Sequence, residues 1–184
     1  MRMIIIKLYN RSSIKFTGIM KWRLLMKRVH QLQPLSRQHH LGLHIGRHAK
    51  ECTDNPQEIT AHWQALSSYI VDMHAHFSIE DNLITNALLP YRTTQPEVAF
   101  VLDTMREQHK SLNNMKAEIQ AAQAYANNIV TVRQVKQLGN LLYDHIRFEE
   151  RELFPIVEKY LTQHELDAIY VASPDDIKHL DEKR

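Results

Sequence analysis

The chain has 184 residues, 43% of them hydrophobic, with four glycines, six prolines and a formal charge of +2, a length that makes one domain with a real core rather than two. The charge is unevenly placed: residues 1–50 carry eleven Lys and Arg and no acid, whereas residues 51–184 carry twelve against twenty-one acids. An acidic body excludes a basic nucleic-acid surface, no apolar run approaches the ~20 residues of a membrane span, and a single cysteine, Cys52, fits a reducing, cytoplasmic compartment.

In chain order, residues 1–32 form a basic extension that opens with a short apolar run, Met3 to Ile6. No small-residue cleavage site follows, so it reads either as a poorly ordered extension or, given Met20 and Met26, as residues upstream of the natural start. A domain is expected over 33–172. Its first helix covers about 35–53, with Ser36 available as a cap and Leu35, His39, Gly42, Leu43, Gly46 and Ala49 on one stripe. The two glycines on that stripe allow another helix to come close.

Asp54-Asn55-Pro56 breaks the run and starts a second helix over about 57–88, in which Ile59, Trp63, Leu66, Ile70, Met73, Phe77, Ile84 and Leu88 recur at helical spacing. Pro90 ends it. Thr94-Gln95-Pro96-Glu97 has a capping-box pattern and opens a third helix over 96–126, which Asn127-Asn128 closes. A fourth helix over about 129–153 carries Val132, Val135, Leu138, Leu142, His145 and Glu149, and Phe154-Pro155 interrupts it. Thr162-Gln163-His164-Glu165 is a further capping box and opens a short C-terminal helix to about residue 172; residues 173–184 read as a solvated tail. The pattern as a whole is all-α, an up-down-up-down four-helix bundle with one short helix added.

One motif is written twice. His76-x-x-x-Glu80 and His145-x-x-x-Glu149 each follow a lone histidine, His39 by 37 residues and His109 by 36. Positions i and i+4 share a helix face, so each pair aims an imidazole and a carboxylate at one spot. A single histidine on an apolar stripe is usually a hydrogen-bonded core residue. Four, one per helix, with two carboxylates one turn onward, would bury charge at several kcal/mol per ionised group unless a cation joined them. Imidazole with carboxylate suits iron, manganese or zinc. Six ligands with only two carboxylates favour two ions bridged by Glu80 and Glu149, with coordination positions left open. Asp81 and Glu150 are placed to orient ligand imidazoles, or else to form ordinary salt bridges. The reversed, shorter Glu-x-x-His of ferritin-like oxidases does not occur as a pair.

The residues Leu35 to His40, His76-x-x-x-Glu80-Asp81, Glu107-Gln108-His109-Lys110 and His145-x-x-x-Glu149-Glu150-Arg151-x-Leu153-Phe154-Pro155 resemble the hemerythrin-like HHE cation-binding family over about residues 33–160. The resemblance implies an oxo- or hydroxo-bridged di-iron centre held by His39, His76, Glu80, His109, His145 and Glu149, with O2, NO or peroxide as the small ligand. Two alternatives stay open in the ligand set, His40 for His39 and Glu150 for Glu149. Oxygen-carrying members have a second histidine where this chain has Asn113, and their last carboxylate falls at the position of Glu150. The more open set is similar to di-iron proteins of nitric oxide stress and iron-sulfur repair, although the cysteine-bearing segment usual in those is missing. A binding or sensing protein is therefore expected ahead of a dedicated carrier. The alternative is an enzyme that reduces NO or peroxide, or a repair factor for iron-sulfur centres, with the electron donor and oligomeric state unspecified.

Overall fold

In the computed structural model, residues 28–126 and 130–178 are described, residues 122–126 for their backbone alone. All of the regular structure among them is helical. Helix α1 (Gln33–Lys50) has Pro34 in its first turn, where its fixed φ is suited, and ends with Arg47, His48 and Lys50, cations that favour the negative end of the helix dipole. Ser36 is therefore no cap; it lies inside the helix and its hydroxyl donates to Glu150. Asn55 caps α2 (Pro56–Asp72), its side-chain oxygen accepting from the N–H groups of Gln57 and Glu58. The second long segment then continues past Met73 as α3 (His74–Ser78), a π turn (Ile79–Ile84) and α4 (Thr85–Leu88).

Helix α5 (Pro96–Ala126) has the expected limits, but the capping box at Thr94 does not form. The Thr94 hydroxyl donates to the carbonyl of Tyr91, and the Glu97 carboxylate accepts from Tyr160 and Lys159 instead. The Asn127-Asn128 pair lies outside the described residues. Helix α6 (Val132–Phe148) begins three residues later than the apolar pattern suggests because Thr131 and Gln134 form a reciprocal capping box.

The fourth long segment does not stop at Phe154-Pro155. It passes through a second π turn (Glu149–Leu153) into α7 (Phe154–Tyr160). In the π turn the Phe154 N–H reaches back five residues to the carbonyl of Glu149, and Pro155 has no N–H. The Glu150 carbonyl is thus left without a backbone donor, and the guanidinium of Arg28 takes it. The proline is tolerated because its missing donor is replaced from elsewhere in the chain. Helix α8 (Gln163–Ala172) has the anticipated Thr162–Glu165 capping box, and α9 (Asp175–Lys178) packs back on α1 with Ile177 buried.

Helix α1 packs on α6 and α2, and α6 on α2 and α5. The α1–α6 crossing uses the glycines: a Cβ on Gly46 would come within 3.1 Å of the Gly139 carbonyl oxygen, and one on Gly139 within 2.7 Å of the Ala49 methyl. The apolar interior falls into two clusters. One contains Trp63, Leu66, Leu112, Leu138 and Leu142; the other contains Leu32, Leu35, Leu88, Leu102, Leu153 and Phe154. Each buried Leu of this kind contributes roughly 1.5–3 kcal/mol. The N-terminal boundary is not bare: residues 28–32 pack on the bundle, with Leu32 fully buried and the Val29 N–H donating to Glu158. No helix among the described residues is long and apolar enough to cross a membrane.

Candidate metal centre

The buried polar residues of the described chain are His39, His76, Glu80, His109, His145, Glu149 and Ser173. The first six are the six that the doubled motif singles out, and they converge. His39 comes from α1, His76 from α3, His109 from α5 and His145 from α6, while Glu80 and Glu149 lie in the two π turns. A π turn inserts one residue relative to α register and often marks a functional site; here each includes a motif carboxylate.

Each carboxylate points one oxygen to each histidine pair. Glu80 Oε1 is 3.0 Å from His76 Nε2 and Glu80 Oε2 is 3.3 Å from His109 Nε2. Glu149 Oε2 is 3.0 Å from His39 Nε2, and its Oε1 is 2.9 Å from His145 Nε2. His39 and His76 bring their Nε2 atoms to 3.2 Å. Two four-residue groups result, His39–His76–Glu80–Glu149 and Glu80–His109–His145–Glu149, each with its ligand atoms within 4.8 Å of one another.

The outward ring nitrogens are held with the same two-fold logic. His39 Nδ1 lies 2.7 Å from Glu150 and His109 Nδ1 lies 2.8 Å from Asp81, each the residue after a motif carboxylate. His76 Nδ1 donates to Gln38 at 2.9 Å and His145 Nδ1 to Gln108 at 3.0 Å, each the residue before a lone histidine. Holding Nδ1–H outward fixes the tautomer that turns the Nε2 lone pair inward.

The residues present fit a cation on an observation of their own. Glu80 Oε2, His109 Nε2, His145 Nε2 and both Glu149 oxygens are buried without a hydrogen-bond partner, although each stands within 2.9–3.8 Å of an imidazole nitrogen or carboxylate oxygen of the cluster. Such proximity without hydrogen-bond geometry leaves buried charge uncompensated, a cost of several kcal/mol per ion, and an inserted cation removes it. In the metal-free protein protons play that part. Burial pulls the His39 pKa down, but the close carboxylate of Glu149 and the hydrogen bond to Glu150 outweigh it and push the group up to about 10. For His109, burial is again outweighed, here by the hydrogen bond to Asp81 and the close carboxylates of Glu149 and Glu80, and its pKa rises to about 12. Glu149 is driven well below the carboxylate range: its burial opposes ionisation, but the close imidazoles of His145, His109 and His39 prevail.

His40 is exposed, as are His44, His48, His74 and His164, while His62 is half-buried and His179 lies outside the described residues. Glu150 faces His39 Nδ1 and not the shared interior. Asn113 is exposed and borders a surface cavity of about 460 Å³ with Phe77, Asp81 and Lys116. Tyr69 is buried and donates its hydroxyl to the Gln38 carbonyl, while Tyr143 packs beneath Lys50. Cys52 is buried with its thiol pushed up by burial and by Glu58. It lies near Glu58 and His62, but that carboxylate already accepts from the Thr53 N–H and hydroxyl.

Gln38 and Gln108 join the cluster through the outer nitrogens of His76 and His145, and the repeated Gln-His dipeptide is their only sign in the sequence. A glutamine beside a buried histidine reads as solvent-facing until the partner helix is in place.

Fold and site together define a class: an all-helical domain with clustered, buried imidazoles and carboxylates suited to binding cations. The family model of the hemerythrin HHE cation-binding domain matches residues 23–157, and the chain belongs to that family. No curated protein and no solved structure matches it.

Proposed function

We propose that the protein is a non-haem di-iron protein that binds or senses a small diatomic molecule or oxidant, O2, NO or peroxide, from a cytoplasmic location. The ligands in this reading are His39, His76, Glu80, His109, His145 and Glu149. The observation that carries it is that Glu80 and Glu149 each split their two oxygens between the two histidine pairs, the arrangement of bridging carboxylates. A pair of iron ions would supply open coordination positions and a source of electrons for the small ligand.

The chain's own residues do the rest. Gln38, Gln108, Asp81 and Glu150 hold the four Nδ1 atoms, and Phe77 and Phe154 lie against the imidazoles at ring-centre distances of 4.4 Å to His109 and 5.3 Å to His39. These rings exclude bulk water and strengthen the field of the carboxylates.

Metal analysis after anaerobic loading tests the reading. Two irons per chain are expected, and Glu149→Ala, which removes an oxygen from each group, should lose both. Trace iron in the wild type would overturn the proposal. Exposure of the loaded protein separately to O2 and NO, followed by absorbance and paramagnetic resonance, identifies the ligand.

A further inference from the structure

The two ends of the cluster are held unequally. At the first end, His39 Nδ1 meets Glu150 Oε1, and Glu150 is itself fixed. Ser36 Oγ donates to that same oxygen at 2.6 Å, Arg28 Nε donates to Oε2 at 3.1 Å, and an Arg28 Nη atom donates to the Glu150 carbonyl that Pro155 leaves bare. The Arg28 guanidinium also lies 5.6 Å from the centre of the Phe154 ring, which is stacked on His39 with 17° between the planes. Glu158 approaches a second nitrogen of the same guanidinium at 3.5 Å. One guanidinium therefore fixes both the carboxylate at the outer nitrogen of His39 and the aromatic ring on its face.

The second end has no such clamp. Asp81 corresponds to Glu150 in the repeat, yet among the described residues it bonds only His109. Half of its side chain is exposed, against 23% for Glu150 and 11% for Arg28. It borders the open cavity with Phe77 and Asn113. A planar fork with several donors loses little freedom on engaging two acceptors, whereas a half-exposed carboxylate exchanges its partner with water.

Resting on the ligand reading above, we propose that Arg28 is a positioning residue that makes the two metal positions inequivalent. The ion at His39 and His76 is retained, and the ion at His109 and His145 is exchangeable. Arg28 touches neither ion; it acts through Glu150 and Phe154. Arg28 thus reaches Glu150, beside the centre, from 122 residues away in sequence.

The full-length chain, loaded anaerobically with cobalt(II) and challenged with excess chelator, tests this by the absorbance of bound metal. Release should occur in two phases of one ion each. Arg28→Ala should accelerate the slow phase roughly tenfold, the lower end of the effect of losing a direct partner of a ligand because Arg28 acts one residue further out, and leave the fast phase unchanged. Arg28→Lys retains the charge without the fork or the stacking plane, so its slow phase should fall between the two. Asp81→Asn should accelerate the fast phase alone. Single-phase release from the wild type, an unchanged slow phase in Arg28→Ala, or equal acceleration of both phases by general loosening would each overturn the proposal. A wild-type chain that never takes up two ions fails earlier, at loading, and overturns the ligand reading instead.

Discussion

An imidazole that holds a cation through Nε2 has its donor strength set at Nδ1, and this chain assigns two kinds of partner to that atom. Glu150 and Asp81 present carboxylates to His39 and His109, while Gln38 and Gln108 present neutral amides to His76 and His145. Gln38→Leu and Gln108→Leu remove the acceptor at nearly constant volume. Each is expected to weaken metal binding roughly tenfold to a hundredfold with the helical spectrum intact; competition against a chelator measures it, and wild-type affinity in both would refute the role. The same residues set a pH dependence. The His39 pKa rises from 6.5 to about 10 in the metal-free fold, so its contribution to stability is complete below 6.5 and lost as pH climbs through 10. Glu149 is depressed from 4.5, so its contribution is present above 4.5 and lost as pH falls through its lower folded value. Metal-free stability from these groups is therefore greatest between those ordinary values. Metal affinity runs the other way, because binding needs neutral imidazoles. At pH 8 His39 and His109 still carry protons, and loading should release about two per chain. Calorimetry in buffers of different ionisation enthalpy counts them, and no proton release would contradict the assignment.

At the scale of elements, the legible features are those fixed by local chemistry. Apolar recurrence located α2 and α5, Asn55 and Thr162 provide caps, and Gly46 lies on the buried stripe where α6 approaches. The two π turns were not legible. Whether an N–H reaches four or five residues back depends on what captures the carbonyl left over, and for Glu150 that donor is Arg28, far away in sequence. For the same reason Pro155 resembled a stop while the helix continues to Tyr160. The six clustered residues were legible because spacing alone places them on inward faces; the choice between Glu149 and Glu150 was not, since adjacent residues at a π turn diverge by its extra residue. The glycine crossing gives a prediction at this scale. A methyl on Gly139 would fall 2.7 Å from Ala49 Cβ and 3.2 Å from the Gly46 carbonyl oxygen, so α1 and α6 must separate. Gly139→Ala should cost about 1–3 kcal/mol in chemical denaturation, despite alanine's better helix propensity. An unchanged or raised midpoint would show that the crossing has slack.

Across the whole molecule, a polar layer of four imidazoles and two carboxylates is buried alongside two apolar clusters, one containing Leu138 and Leu142, the other Leu153 and Phe154. A core built this way sacrifices stability in the empty state, because several of its polar atoms have no partner and each unmatched group costs about 1–3 kcal/mol. A cation that binds the folded chain and not the unfolded one restores stability by mass action, about 2.7 kcal/mol at one hundred times the dissociation constant. For a chain of this length each kcal/mol corresponds to roughly 2–4 °C, so each bound ion should raise the melting temperature by about 5–10 °C at that excess, and two ions by about twice that. The rise must continue logarithmically with free metal and vanish in Glu149→Ala, which disrupts both groups at once. Anaerobic scanning calorimetry across a metal series measures it. A melting temperature indifferent to metal would mean that the layer is satisfied by protons alone, and that the bundle stands without the ions its interior is arranged to receive.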